Sequence, residues 1–267
     1  MLFAKEAEIC RSRYPASALP AIMQRGPVQK EGEVWLLGFR LIGREPAAAK
    51  ADRMRCTVRF ADRGALKMDI PIDVYTQHTE LIFPFHGHGV VSQGGAANGG
   101  HMNDSGQFAI DALGAAPNYA VLTGSDFGSN SDLVGFGREL VAPAAGVVVK
   151  ARGDRPDQPT PGVNDERYLA PEIGGGDPGN HVVIDHGDGE FSLIAHMKAG
   201  SLAVRREQRV RQGERIGLLG NSGDSSAPHV HHQLQDGPDW QTANALPCRY
   251  ANINEQRLER GVFFRAV

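Results

Sequence analysis

Glycine and proline divide this chain into many short apolar runs. The 267 residues include 33 glycines and 16 prolines, and hydrophobic residues make up 41% of the sequence. Such punctuation favours short strands joined by turns. A chain of this length can bury a substantial core, in one large domain or two small ones. The sequence therefore predicts an all-β protein whose sheets are mainly antiparallel.

The clearest alternating pattern lies in the first third of the chain. From Arg53 to Phe60 apolar and polar residues alternate, which predicts a half-buried strand with a basic outer face. A turn at 61–64 leads to a second alternating segment near Leu66, and Glu33 to Ile42 also predicts a strand. With a change of composition near residue 83, these patterns predict three parts. They are a small β-rich module at 1–80 of unknown role, a second domain at 81–240, and a tail at 241–267 that packs on the domains.

Histidines are concentrated between Ala227 and Leu234. Three of the ten histidines occupy positions 229, 231 and 232. Side chains alternate faces along a strand, so His229 and His231 point one way and His232 points the other. Two imidazoles on one face could share a metal, or one could bind it while the other transfers a proton. The alternative is a polar surface strand without such a role.

Other groups suited to a metal site flank predicted strands. His101 and Asp111 lie around one strand start, and His196 ends the predicted strand Phe191 to His196. Zinc binds imidazole nitrogens and carboxylate oxygens, and three protein ligands leave a fourth position for water. Two further histidines could accept a proton from that water and stabilise the developing oxyanion. Spacing alone does not decide which histidine has which role.

From about residue 84 to 238 the sequence resembles peptidase family M23, the zinc peptidases of the lysostaphin and LytM type. The family motif is a first histidine, a nearby aspartate, a later histidine that ends a strand, and a closing His-x-His. The matching residues here are His101, Asp111, His196 and the pair His229 and His231. The connecting phrases at 141–148, 180–187, 213–217 and 220–223 match as well.

The resemblance implies residue roles and an activity. His101, Asp111 and His231 would bind one zinc ion, and His196 and His229 would be the catalytic pair. The protein would be a zinc metalloendopeptidase with a β-sheet core and an open groove. It would hydrolyse peptide bonds in peptidoglycan cross-links or stem peptides, in the periplasm or outside the cell.

This sequence departs from the family pattern in the spacing of the first two ligands. Nine residues separate His101 from Asp111, where the family usually has three. If His101 is not a ligand, His86 and His88 are the substitutes that the sequence offers. Long loops at 112–138 and 153–179 should also make the groove walls different from those of compact members.

Two other functions remain open from the sequence. One is a catalytically silent binding or regulatory module, which would usually lack a ligand or a catalytic residue; none is missing here. The other is a zinc peptidase that acts on peptides outside the cell wall. It stays open because the first thirteen residues carry charges at Lys5, Glu6 and Glu8 and lack the apolar region of a secretory signal.

Composition and motifs argue against several other classes. The net charge is −3 with no polybasic block, so nucleic acid is not an expected partner. No run reaches the roughly 18 apolar residues of a transmembrane segment. Cys10, Cys56 and Cys248 show no CxxC spacing, which argues against a zinc-thiolate site and leaves the disulfide state open. The serine-hydrolase GxSxG and the HExxH zinc motif are both missing.

Overall fold

The computed structural model describes residues 2–4, 7–10, 51–60, 64–72, 75–94, 101, 106–170, 176–255 and 258–267. Within them the protein is nearly all β, and the paired strands are antiparallel, so the predicted fold class is confirmed. The predicted strand from Glu33 to Ile42 lies outside the described residues. The chain divides into two compact units, Met1–Thr76 and Gln77–Val267.

The first unit contains one antiparallel sheet of four described strands. They are β1 (Leu2–Ala4), β2 (Ala7–Cys10), β3 (Arg53–Phe60) and β4 (Gly64–Pro71), in the order β2-β1-β3-β4. The predicted strand at Arg53 to Phe60 is confirmed, but the pattern does not produce a clear buried face. Leu66 and Met68 of β4 are 60% and 53% exposed, although they continue the apolar side of the alternation.

Among the described residues of the second unit, nine strands form one sheet and two form a separate pair. Nine of these eleven are β5 (Gly87–Gln93), β6 (Ile110–Ala115), β7 (Glu139–Val141), β8 (Gly146–Arg152), β9 (Asn180–Gly187), β10 (Glu190–Met197), β11 (Arg209–Val210), β12 (Arg215–Leu218) and β13 (Val230–Gln235). The last two are β14 (Ala245–Leu246) and β15 (Phe263–Ala266). The large sheet has the order β11-β8-β9-β10-β13-β6-β5-β15, with β14 paired to the end of β13, and β7 pairs with β12. Short 3-10 helices lie at Asn130–Asp132 and Glu166–Tyr168.

Turn chemistry explains the tightest connection of this sheet. β9 and β10 are joined where Gly187, Asp188 and Gly189 all have positive φ, between 51° and 89°. Glycine adopts that region without a steric penalty, and aspartate tolerates it better than most residues. These residues close a hairpin that places the two apolar strands side by side in the middle of the sheet.

The core of the second unit lies on both faces of the sheet. On one face Phe83 is edge-on to Phe85, Tyr250 and Phe264, with ring centroids 4.7 to 5.0 Å apart. On the other face Val183, Leu193 and Ala195 form a smaller buried cluster. Burying apolar area of this kind contributes about 25 cal/mol per Å². Two packed faces hold β13, the strand with the histidines, in the interior of the sheet.

Two stretches that seemed irregular in the sequence belong to the sheet. Residues 112–115 were included in a predicted loop, yet β6 continues through them as the partner of β5. Within the predicted tail, β14 pairs with β13 and β15 pairs with β5. Both pairings join segments far apart in sequence, which a local pattern does not reveal.

Cys56 and Cys248 are free thiols. Burial raises the pKa of the Cys248 thiol to about 11, so this cysteine stays protonated near neutral pH. Within the described part of the chain, no helix has the length and apolar character needed to cross a membrane.

Candidate metal and catalytic site

Sheet register brings the first two candidate ligands together. His231 of β13 is the direct cross-strand partner of Asp111 of β6, and directly paired residues point to the same face of a sheet. Nδ1 of His231 lies 2.8 Å from Oδ1 of Asp111, and both side chains are buried. On its other side His231 pairs with Ala195 of β10.

His101 completes a group of three donors. Its Nε2 lies 3.4 Å from Oδ2 of Asp111, so each carboxylate oxygen faces a different imidazole. The rings of His101 and His231 are nearly perpendicular, with centroids 4.8 Å apart. One ligand atom from each residue lies within 4.8 Å of the others.

The donor set fits a zinc ion. Zinc bonds to nitrogen and oxygen are about 2.1 Å long in a tetrahedral site, which separates neighbouring donors by about 3.4 Å. Two imidazoles on either side of one buried carboxylate match that chemistry and spacing. Nδ1 of His101 is buried and has no hydrogen-bond partner among the described residues. His86 is exposed, and the His88 ring packs on Tyr119; neither belongs to the described group of donors.

Asp111 is held as a carboxylate. Burial by itself would raise its pKa, but His229, His101 and His231 outweigh that effect and keep the pKa well below the usual value. A buried anion surrounded by imidazoles is an arrangement that attracts a cation, because a metal ion can replace the protons that otherwise balance the charge.

His196 and His229 face each other beside this group. Their ring centroids are 4.6 Å apart, and the centroid of His196 lies 5.9 Å from that of His231. Nε2 of His229 is 3.8 Å from Oδ1 of Asp111. The structure therefore brings all five residues singled out in the sequence into one cluster.

Backbone carbonyls orient this second pair. Nδ1 of His196 is 2.8 Å from the oxygen of Ser222, and Nδ1 of His229 is 2.7 Å from the oxygen of Ala227. A carbonyl oxygen only accepts, so the Nδ1–H groups donate and each neutral ring keeps an unprotonated Nε2. Burial, together with His229 and His231, holds the pKa of His196 well below its usual value. His196 is accordingly a neutral imidazole at physiological pH.

The chain path around His196 is unusual. Its φ is +57°, in the left-handed region that side-chain-bearing residues rarely adopt, and the pairing of β10 with β9 shifts register between Ile194 and Met197. This irregularity turns the end of the strand. It directs the imidazole toward Ser222 and away from the regular pleat.

Gly220 joins the two carbonyl-held histidines. Its N–H donates to the oxygen of His196, and its own oxygen accepts from the N–H of His229. A Cβ at this position would lie 2.2 Å from the Cα of Lys198. Only glycine lets the segments approach this closely.

The cluster lines one wall of an open cavity of about 330 Å³. Its other walls include Asn164 and Gly176 of the long loop at 153–179. Asp224, which contacts this loop, and Trp240 line the cavity as well. Asp224 accepts hydrogen bonds from the Asn164 amide and from the Gly176 N–H. No lysine or arginine is among the described lining residues.

Three other buried or half-buried histidines have partners away from the cavity. His232 points to the opposite face, as predicted, where Nδ1 is 2.5 Å from the Tyr250 hydroxyl and Nε2 is 3.2 Å from the Ser192 hydroxyl. Nδ1 of His181 is 2.8 Å from the oxygen of Gly179. His186 bridges the oxygen of Ala145 and the Ser192 hydroxyl.

Sequence reasoning missed several residues that support the site. Oγ of Ser225 lies 3.2 Å from Nδ1 of His229 and donates to the Asn221 side chain. Oε1 of Gln233 lies 3.0 Å from Nε2 of His231. The signal for Gln233 was available, because it follows His231 by two positions and therefore shares its face of the strand.

Two curated bacterial proteins are similar to part of this chain. One is the peptidoglycan DD-endopeptidase ShyA of Vibrio cholerae, 41% identical over 56 residues. The other is the DD-carboxypeptidase/endopeptidase Mpg of Neisseria meningitidis, 45% identical over 57 residues. Each alignment covers 21% of this chain and 13% of the relative, so the chain matches only a small part of either protein's length.

A solved structure from Pseudomonas aeruginosa, described as a putative peptidase M23, is 19% identical and has a TM-score of 0.35. That alignment covers 78% of this chain and 76% of the other. The family model of peptidase family M23 matches residues 124–244, a range that contains His196, His229 and His231 and begins after Asp111. The match of this family model confirms the resemblance found in the sequence for residues 124–244.

Proposed function

We propose that the unit Gln77–Val267 is a zinc-dependent endopeptidase that hydrolyses peptide bonds in peptidoglycan cross-links or stem peptides. The observation that carries this proposal is a division among the imidazoles of the cavity. His231 presents Nδ1 to Asp111, whereas His196 and His229 keep Nδ1 on backbone carbonyls and leave Nε2 unprotonated. One group of residues is suited to hold a metal, and the neighbouring group is suited to accept a proton.

His101, Asp111 and His231 would hold the zinc ion. When bound, zinc polarises the scissile carbonyl and lowers the pKa of water toward neutrality. Asp111 supplies negative charge against the metal, and its low pKa keeps that charge in place across the neutral range.

His196 and His229 supply the proton transfers. An unprotonated Nε2 accepts the proton of the attacking water as its oxygen bonds to the peptide carbon. The resulting imidazolium donates an N–H bond to the developing oxyanion. It then gives its proton to the amine as the carbon–nitrogen bond breaks. In the proposed division His229, the histidine nearer to Asp111, takes the proton, and its imidazolium stabilises the oxyanion. The neutral ring of His196 accepts a hydrogen bond from the attacking water at Nε2 and so orients it.

The substrate class rests on the family and on the relatives. ShyA is named a peptidoglycan DD-endopeptidase and Mpg a DD-carboxypeptidase/endopeptidase, and the M23 family model matches residues 124–244. A protein with that substrate works in the bacterial envelope, so a periplasmic or cell-wall location is part of this proposal.

The test combines zinc content with release of soluble peptide from purified cell walls. We expect wild type to bind one zinc ion and to release peptide. His229→Ala should keep the metal and lose most of the release, whereas His231→Ala should lose both. His86→Ala, which changes an exposed histidine outside the cluster, is the matched control and should behave as wild type.

The possible failures are distinct. Zinc bound without cleavage of walls or of free peptides would leave a silent binding module. Cleavage of free peptides without any release from walls would refute the peptidoglycan substrate and keep the peptidase. Release that His229→Ala leaves unchanged would refute the catalytic role of His229.

A further inference from the structure

A ladder of two glutamines continues the face of β13 that carries His231. Nε2 of His231 lies 3.0 Å from Oε1 of Gln233, and Nε2 of Gln233 lies 2.7 Å from Oε1 of Gln235. The amide of Gln235 then donates from Nε2 to the backbone oxygen of Gly237 at 2.6 Å. Alternate residues of a strand share one face, so positions 231, 233 and 235 form a continuous row.

The last partner in the row gives the ladder a direction. The oxygen of Gly237 accepts hydrogen bonds and donates none, so Gln235 must turn its NH₂ toward it. Oε1 of Gln235 then faces Gln233, which must turn its own NH₂ toward that oxygen. Oε1 of Gln233 is left facing His231, and it satisfies Nε2 only if that nitrogen carries a proton.

Burial makes this direction costly to reverse. The exposed fraction is 3% for Gln233 and 0% for Gln235, so water cannot replace a mismatched amide partner. A buried donor or acceptor without a partner costs about 1–3 kcal/mol. Reversal of either amide would set two donors or two acceptors against each other in the same row.

We propose that Gln233 and Gln235 are positioning residues that hold His231 in its Nε2-protonated tautomer and keep the lone pair of Nδ1 directed at the metal position beside Asp111. The carbonyl of Gly237 fixes the orientation of the Gln235 amide, and the Gln235 amide fixes that of Gln233. The importance of this tautomer for metal binding rests on the proposed zinc site. In the metal-free protein Asp111 opposes this preference, because its Oδ1 lies 2.8 Å from Nδ1 and would accept a proton carried there.

Zinc affinity, measured by competition with a chelator, is the first test. We expect Gln233→Met to weaken binding by about 10-fold, as is typical when the partner of a metal-bound histidine is removed. Gln235→Met should weaken it by a smaller factor, although residue 235 does not touch His231 in the described contacts. Gln233→Glu keeps an acceptor for the Nε2–H group but loses the bond to Oε1 of Gln235, so it should weaken zinc binding less than Gln233→Met does.

The matched control is Gln241→Met, which makes the same change at an exposed turn position outside the ladder. It should leave zinc affinity unchanged. Urea unfolding of each variant separates weaker binding from a damaged fold. Zinc affinity of folded Gln233→Met equal to that of wild type would overturn the proposal.

The second test reads the tautomer directly in metal-free protein that carries Asp111→Ala, where the carboxylate no longer competes for the proton on Nδ1. Proton–nitrogen correlation spectra of the His231 ring at alkaline pH should show the proton on Nε2 in this variant. Adding Gln235→Met should shift the population toward Nδ1, and adding Gln241→Met should not. A His231 ring protonated on Nδ1 in the Asp111→Ala protein would overturn the inference. Wild type that binds no zinc would instead overturn the proposed function, and the spectra would still decide the inference.

Discussion

The two sides of the cavity hold their imidazoles by different means. On the catalytic side, His196 and His229 are fixed by the backbone oxygens of Ser222 and Ala227. On the metal side, His231 is fixed by side chains, Asp111 at one nitrogen and Gln233 at the other. His231 presents Nδ1 to the metal position, whereas His196 and His229 keep Nδ1 on the carbonyls.

Because of this difference, substitutions of neighbouring side chains should affect the two sides unequally. A carbonyl orients an imidazole through the path of the chain, so changes of neighbouring side chains should have little effect. A side-chain partner can be removed by one substitution. The metal side should therefore respond to its polar neighbours, and the catalytic side to the backbone.

The largest expected effect that tests this comparison is on turnover. His196→Ala removes an imidazole suited to proton transfer, a role that contributes about 10² to 10⁴-fold to rate. We expect peptide release to fall by that factor while zinc content stays near that of wild type. The measurement is turnover together with metal analysis on the same sample. A variant that lost its zinc and not its turnover would reverse the assignment of the two sides.

The second largest effect should come from a substitution that changes the backbone path beside His196 and His229. Gly220→Ala forces a methyl group against Lys198, and overpacking of this kind costs about 1–3 kcal/mol of folding stability. Urea unfolding should show that loss, and turnover should fall more than zinc affinity because Gly220 links His196 to His229. Gly124→Ala is the control, since its Cβ would meet no atom within 4 Å. Equal losses in both variants would contradict the close-approach argument.

His181 tests how a buried imidazole held by a backbone carbonyl, outside the proposed metal site, affects the free energy of unfolding. Burial lowers its pKa from 6.5, although its bond to Gly179 opposes the shift. Below about pH 6.5 the unfolded chain takes up a proton that the folded protein excludes. The free energy of unfolding should therefore fall by about 1.4 kcal/mol for each pH unit until the folded imidazole titrates.

The corresponding variant is His181→Asn, which removes the titrating group. Its stability should depend less on pH in this window, so the difference from wild type should narrow as the pH falls. Urea unfolding at a series of pH values measures both slopes, with His86→Asn as the exposed control. Parallel slopes for wild type and His181→Asn would show that this imidazole does not contribute.

The smallest effect should come from Ser225→Ala. The Ser225 hydroxyl is a second partner of Nδ1 of His229, 3.2 Å away, beyond the Ala227 oxygen at 2.7 Å. Its loss should cost less than about 1 kcal/mol, or under about fivefold in turnover. Steady-state kinetics on a soluble peptide measure this. A larger loss would show that side chains also fix the catalytic side.

Local rules predicted the direction of side chains from the sequence, but not their cross-strand partners. The period of two in a strand sent His231 and His232 to opposite faces, and the structure has them there. The pairing of His231 with Asp111 joins residues 120 positions apart. The resemblance to a family indicated that contact, because alternation alone does not set which strands are neighbours.

The remaining differences have similar physical causes. β15 joins the sheet by pairing with β5 across most of the second unit, so its local sequence read as a tail. The left-handed backbone at His196 depends on the strand irregularity around it, which no residue type in that stretch signals. In β4 the apolar alternation was present, but Leu66 and Met68 are exposed; alternation indicates a strand and not what covers it.

The interior position of β13 has a consequence for the time course of metal release. Hydrogen bonds tie the segment around His231 to β6 on one side and to β10 on the other. Its amide hydrogen should therefore exchange with solvent only when the sheet opens cooperatively. Release of zinc through movement of the backbone at this ligand would then be as slow as global unfolding, and rapid exchange of the ion would have to begin with a side-chain rotation or at another ligand.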